Sequence, residues 1–187
     1  MDSFLFCLVL VFAVALGGRD QLIVARLSEQ LDQSGQLLAL GAICSAVSAA
    51  VMSWAGMTLA QILPQRAAEM LVAFALAFAA VELLWPVRLK PMREPTRSLG
   101  AIGAVVLARQ LGDAARFIVF ALAAEATYPA TTIAGGAIGG FGAIALGWTM
   151  GADLERKLPL RAIRLAMGAG LIIAGLFIGL NARYDMY

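Results

Sequence analysis

The sequence contains no histidine. Without imidazole, the Ser–His and Cys–His arrangements of hydrolytic catalysis are excluded, and most zinc and haem ligation goes with them. Cysteine is almost as scarce. Cys7 and Cys44 both lie in apolar stretches, so they read as buried thiols and imply no disulfide framework. Charge is thin as well: 14% of residues are charged, against about 25% in an ordinary soluble domain, and the formal net charge is only +2. No basic patch alternates with aromatics, so no nucleic-acid partner is expected. Glycine is plentiful, but no Gly-Lys-Ser/Thr follows a strand pattern, which removes a phosphate-binding loop. Nothing here points to an enzyme.

Apolar sequence is abundant. Of 187 residues, 61% are hydrophobic, and the mean hydropathy is +0.86. Six segments are long enough to cross a bilayer, which takes about 20 residues each. They cover 3–24, 37–60, 67–85, 99–124, 131–151 and 165–180. The expected fold is therefore all-α, a polytopic membrane protein with six transmembrane helices. Segment one lacks the positive leader of a signal peptide and has Asp2 instead, so it reads as the first membrane helix. Segment two is rich in small residues such as Gly41, Ser45 and Ser48, which let membrane helices approach closely. Glu69 and Glu82 lie at the two ends of segment three and read as end or interface residues. Segment five carries Gly135, Gly136, Gly139, Gly140, Gly142, Gly147 and Gly151, which point to tight interhelix contact or a discontinuous helix.

The linker 86–97 holds Pro86, Pro91 and Pro95 and is the longest polar stretch. It divides the chain into 1–85 and 98–187. Basic residues concentrate on one side, with Arg26, then Arg88, Lys90, Arg93 and Arg97, then Arg156, Lys157 and Arg161. The positive-inside rule puts that side in the cytoplasm and both termini outside it, as in a bacterial inner-membrane protein.

The two parts match at a constant offset of 95. Gly17 falls on Gly112, Gly56 on Gly151, Pro64 on Pro159, Arg66 on Arg161 and Ala67 on Ala162. Three crossings per copy make the second copy enter from the opposite side. Two inverted three-helix repeats are the architecture of many secondary transporters, with the site at the repeat interface.

Charge in hydrocarbon is costly and faces a partner, a cavity or a transport path. Segment four carries Arg109-Gln110-Leu111-Gly112-Asp113-Ala114-Ala115-Arg116, and segment one ends in Gly17-Gly18-Arg19-Asp20-Gln21. In these paired stretches the chain resembles uncharacterised protein family 0016, the manganese/calcium transporter family. That family repeats Glu-x-Gly-Asp-Lys-Thr in the first helix of each of two three-helix repeats. Its motif falls on Ala15, Gly17, Gly18, Arg19 and Asp20 in the first copy, with the following Gln at Gln21. In the second copy it falls on Gln110, Gly112, Asp113, Ala114 and Ala115, with Arg116 at the Gln position.

The resemblance implies secondary transport of a divalent cation, Mn²⁺ or Ca²⁺, in exchange for protons. No cofactor is expected, and the ion enters as cargo. Hard cations take oxygen ligands. Asp113 is the principal candidate ligand, because it is the one motif carboxylate in its expected place. Asp20, displaced by two residues, is the second, and Gln21 and Gln110 offer neutral oxygens. Gly17, Gly18, Arg19, Arg109, Gly112 and Arg116 line or shape the path, with Gly17 and Gly112 allowing close backbone approach.

On one continuous helix, Arg109 and Arg116 fall four residues before and three after Asp113, on adjacent faces. That spacing leaves three readings open: retained cation transport, an anion or small-solute transporter with an Arg-lined site, and a non-transporting scaffold whose Arg109, Asp113 and Arg116 form a buried structural network. The expected partners are the lipid bilayer and a small inorganic cation, with homo-oligomerisation left open.

Overall fold

The computed structural model describes residues 2–32, 34–87 and 98–184. Most of the linker, 88–97, with its four basic residues, lies outside the described residues. Among the described residues the chain is helical and contains no strand. That is the expected solution for an apolar chain, because a helix satisfies its own backbone polar groups where water is absent.

Segments two, three, five and six are helices α3 (Gly35–Ile62), α4 (Gln65–Leu84), α7 (Pro129–Met150) and α9 (Leu160–Tyr184). Each is long and apolar enough to cross a membrane. Segment one is a bent pair, α1 (Asp2–Ala15) and α2 (Arg19–Gln30), meeting at 67°. Segment four is also two helices, α5 (Leu99–Leu111) and α6 (Ala114–Glu125). Among the described residues four helices thus have full length, and five spans result if the bent pair counts as one. The simple expectation of six continuous helices is corrected at these two places. The cause is local: Gly17 takes φ +75°, and Asp113 takes an extended backbone and caps the next helix.

The breaks recur at the offset seen in the sequence. Arg19 and Gln30 bound α2, and Ala114 and Glu125 bound α6, 95 residues on. Likewise α4 starts at Gln65 and α9 at Leu160. The single helix α3 corresponds to α7 followed by the short α8 (Asp153–Lys157), which a positive φ at Gly151 separates. On α8, hydrogen bonding to Lys157 and its charge hold the Asp153 carboxyl below the usual carboxylate range.

Polarity is inverted relative to a water-soluble protein. Phe6, Ile43, Trp54, Phe74, Phe78, Ile173 and Phe177 are exposed, while Asp20, Gln21, Gln110, Asp113, Arg116 and Arg164 are buried. So large an apolar exterior fits hydrocarbon rather than water. Inside, Val11, Val14, Leu76, Ile118 and Val119 belong to one cluster joining α1, α4 and α6. Segment five proves continuous as α7, so its glycines serve close approach. A Cβ at Gly139 would lie 2.5 Å from the Leu8 carbonyl oxygen of α1. One at Gly140 would lie 2.5 Å from Nη2 of Arg116 and 2.7 Å from Oγ of Ser45. Those bare positions let α7 lie against α1 on one side and against buried polar side chains on the other.

Candidate cation site at the two helix breaks

Each break directs a helix N-terminus into the interior. Unpaired backbone N–H groups and the helix dipole make such ends favourable for negative charge, by about 0.3–1 kcal/mol and more when buried. Both ends carry a carboxylate. Asp113 is the N-cap of α6, and its Oδ2 accepts a hydrogen bond from the Ala115 N–H at 3.2 Å. Asp20 is in the first turn of α2; it is 6% exposed, and its Oδ1 has no hydrogen-bond partner. An unpartnered buried carboxylate oxygen is costly, which singles Asp20 out among the buried polar groups.

Gly18 brings the two acids together. The point where its Cβ would stand is 2.8 Å from Asp20 Oδ1, 3.4 Å from Asp113 Oδ1 and 3.0 Å from the Ala15 carbonyl oxygen. The Asp20 carboxylate therefore fills the space left by the absent side chain at position 18.

The remaining candidates serve this arrangement in different ways. The Gln21 amide accepts from the Gly17 N–H at 2.7 Å and donates to the Ala143 carbonyl at 2.7 Å, tying the first break to α7. Gln110 accepts from the Ser48 hydroxyl at 3.0 Å, and its Nε2 has no partner. Both amide oxygens are thus already engaged. Arg116 is 2% exposed and donates to the Gly136 carbonyl at 3.1 Å and the Ser45 hydroxyl at 2.9 Å. It interacts electrostatically with both Asp20 and Asp113. Ion pairs join Arg26 to Glu155, Lys157 to Asp153 and Arg164 to Glu82, and neither Arg109 nor Arg116 makes one with Asp113. Asp113 is therefore clamped by neither Arg109 nor Arg116. Placing those three groups on adjacent faces of one helix is corrected, because the break at Gly112 separates Arg109 on α5 from Arg116 on α6.

Beside Asp113 lies a cavity of about 460 Å³, lined among others by Arg19, Glu82, Arg109, Gly112 and Phe117. Gly112 faces open space there: a Cβ would meet nothing closer than the Arg109 carbonyl oxygen at 4.0 Å. Close approach thus belongs to Gly17 and Gly18 and not to Gly112. Among the described residues no three His, Cys, Asp or Glu side chains converge. The arrangement offers two carboxylates, with main-chain oxygen beside them.

Sequence reasoning missed Ser45 and Ser48 as polar partners. They stand three residues apart on one face of α3, and that spacing was the signal. Glu82 stands in the last turn of α4, the end position expected of it, but its pairing with Arg164 at 3.3 Å and its low side-chain exposure of 15% were not foreseen.

The second half of the chain, residues 98–186, matches the sequence model described as divalent cation/proton antiporter GDT1. No curated protein and no solved structure matches the chain. The matched residues include α5 to α9 and with them Gln110, Gly112, Asp113 and Arg116. That match supports the resemblance to a cation transporter family: residues 98–186 are similar to the divalent cation/proton antiporters, a family of transporters.

Proposed function

We propose that this protein exchanges Mn²⁺ or Ca²⁺ for protons across a bacterial inner membrane, and that Asp113 and Asp20 hold the ion. The observation that carries this reading is the meeting of the two carboxylates at Gly18, one with an unpartnered buried oxygen. Parts 1–85 and 98–187 act as two inverted three-helix repeats joined by the linker 86–97. Each broken segment counts as one crossing, so the chain crosses six times with both termini outside the cytoplasm. The shared offset of the breaks supports this arrangement.

The chemistry follows from the ligands. A hard divalent cation prefers several oxygens, carboxylates above all. Two aspartates neutralise its charge, and the Ala15 carbonyl near Gly18 adds a neutral oxygen. When the cation leaves, the same two carboxylates take up protons, and its return displaces them. One M²⁺ against two H⁺ keeps the net charge of the site the same in both states, and both forms neutralise the two carboxylates in hydrocarbon. Gln21 and Gln110 act as secondary members by positioning the breaks.

Purified protein in proteoliposomes loaded with a Mn²⁺-sensitive dye tests this. A proton gradient is expected to drive Mn²⁺ flux, and Asp113→Asn is expected to lower it about 100-fold or more, as loss of a charged ligand does. Flux unchanged in Asp113→Asn defeats the ligand assignment. A second reading, an anionic solute, draws on Arg19 and Arg109 lining the same cavity. Anion flux without Mn²⁺ flux selects it, and the absence of both selects a scaffold.

A further inference from the structure

Arg164, in the first turns of α9, spans three elements with one guanidinium. Its Nη2 donates to the Glu82 main-chain carbonyl at 2.7 Å and meets the Glu82 carboxylate oxygens at 3.3 and 3.4 Å. Its Nη1 donates to the Gly17 carbonyl at 3.2 Å, at the break between α1 and α2. Charge-assisted N–H···O bonds are normally about 2.7–2.9 Å. The short bond is therefore to backbone, and the carboxylate is held loosely. Glu82 can let go of the guanidinium while Arg164 keeps its main-chain anchors.

The pair also stands between two cavities. Glu82 lines the cavity of about 460 Å³ that contains Asp113. Arg164 lines a second cavity of about 920 Å³ together with Gly17, Trp85 and Arg161. Glu82 and Asp113 lie close enough to interact electrostatically. A buried carboxylate needs a positive partner, and losing one without replacement is strongly unfavourable. A divalent cation is such a replacement.

We propose that Glu82 is an access subsite for the transported divalent cation, with Arg164 as its resident counter-ion. This rests on the cation reading above. A cation arriving through the larger cavity takes the Glu82 carboxylate from Arg164, then passes to Asp113 and Asp20. Arg164 closes behind it, and the carboxylate is never left unpaired. No covalent bond changes; the exchange is of one positive partner for another.

The test compares Mn²⁺ flux in proteoliposomes for wild type, Glu82→Gln, Arg164→Gln and the double variant, with Asp113→Asn as reference. Glu82→Gln removes the subsite, so half-saturation should rise about tenfold with the maximal rate largely kept. Arg164→Gln frees the carboxylate for the cation, so half-saturation should fall about tenfold and the maximal rate should drop as release slows. Opposite shifts are the signature. A merely structural pair moves both variants the same way and changes thermal stability in detergent rather than half-saturation; that result overturns the proposal. If either Gln variant is unfolded, Glu82→Asp and Arg164→Lys replace them. They keep both charges but move them, so half-saturation should change while the fold holds, and unchanged half-saturation in both overturns the subsite. Flux that is insensitive to Asp113→Asn defeats the cation reading itself. Flux lost in Asp113→Asn but indifferent to Glu82 and Arg164 defeats only the subsite.

Discussion

The two helix breaks stand 95 residues apart and use different residues for the same task. At the first, Gly17 turns the chain with φ +75°, Gly18 is bare, and Asp20 reaches back over it. At the second, no residue adopts positive φ, and Asp113 itself is the cap. Three positions into each broken helix region, Gln21 and Arg116 both donate to main-chain carbonyls of α7, Ala143 and Gly136 respectively. The spatial pattern of a carboxylate at the helix end and a tether to α7 is common to both. The residue identities are not, so two sequences that look eroded against one motif still build related ends.

Of the changes that compare the two breaks, restoring the motif aspartate at the first should do the most damage. Gly18→Asp places a side chain 2.8 Å from Asp20 Oδ1 and adds like charge to it. Overpacking of this kind costs about 1–3 kcal/mol, and Mn²⁺ flux should fall with the melting temperature. Adding Asp20→Thr removes the clash and restores the family order, so the double variant should recover at least half of both. A double variant as poor as the single one would show that Asp20 does not occupy the place of the missing aspartate.

Making the second break resemble the first is the next test. Arg116→Gln keeps an amide donor near the Gly136 carbonyl but deletes a fixed positive charge that opposes an incoming cation. Mn²⁺ half-saturation should fall about tenfold, since 1.4 kcal/mol of removed repulsion corresponds to that factor. An unchanged value would mean that the charge of Arg116 is not felt at the carboxylates.

The smallest effect separates the two glycines. Gly17→Ala forces positive φ on an L-residue at about 1–2 kcal/mol and sets a Cβ 3.1 Å from Arg164 Cδ and Leu160 Cβ. Gly112→Ala meets open space at ordinary φ and should stay within about 0.5 kcal/mol. Thermal unfolding in detergent measures both, and equal losses would mean that the two breaks share one conformational demand.

Much of this was legible beforehand. The apolar runs at 37–60, 67–85, 131–151 and 165–180 are helices because hydrocarbon leaves the backbone no other partner. The register of 95 showed itself in Pro64 and Pro159, and Asp113 stood out as charge in an apolar run. Other parts were hidden. Glu82 sits near Trp85 and Pro86 and reads as interfacial until Arg164, 82 residues away, folds onto it. Ser45 and Ser48 look like small packing residues until Arg116 and Gln110 arrive at them.

Composition and periodicity by themselves determined that this chain enters a membrane as helices, because burial of backbone and side chains in hydrocarbon acts on local sequence. Which polar groups meet was decided only by the tertiary structure. Asp20 joins Asp113 across Gly18 through two helix breaks, and carboxylates attract or repel over distances in space with no regard for separation along the chain.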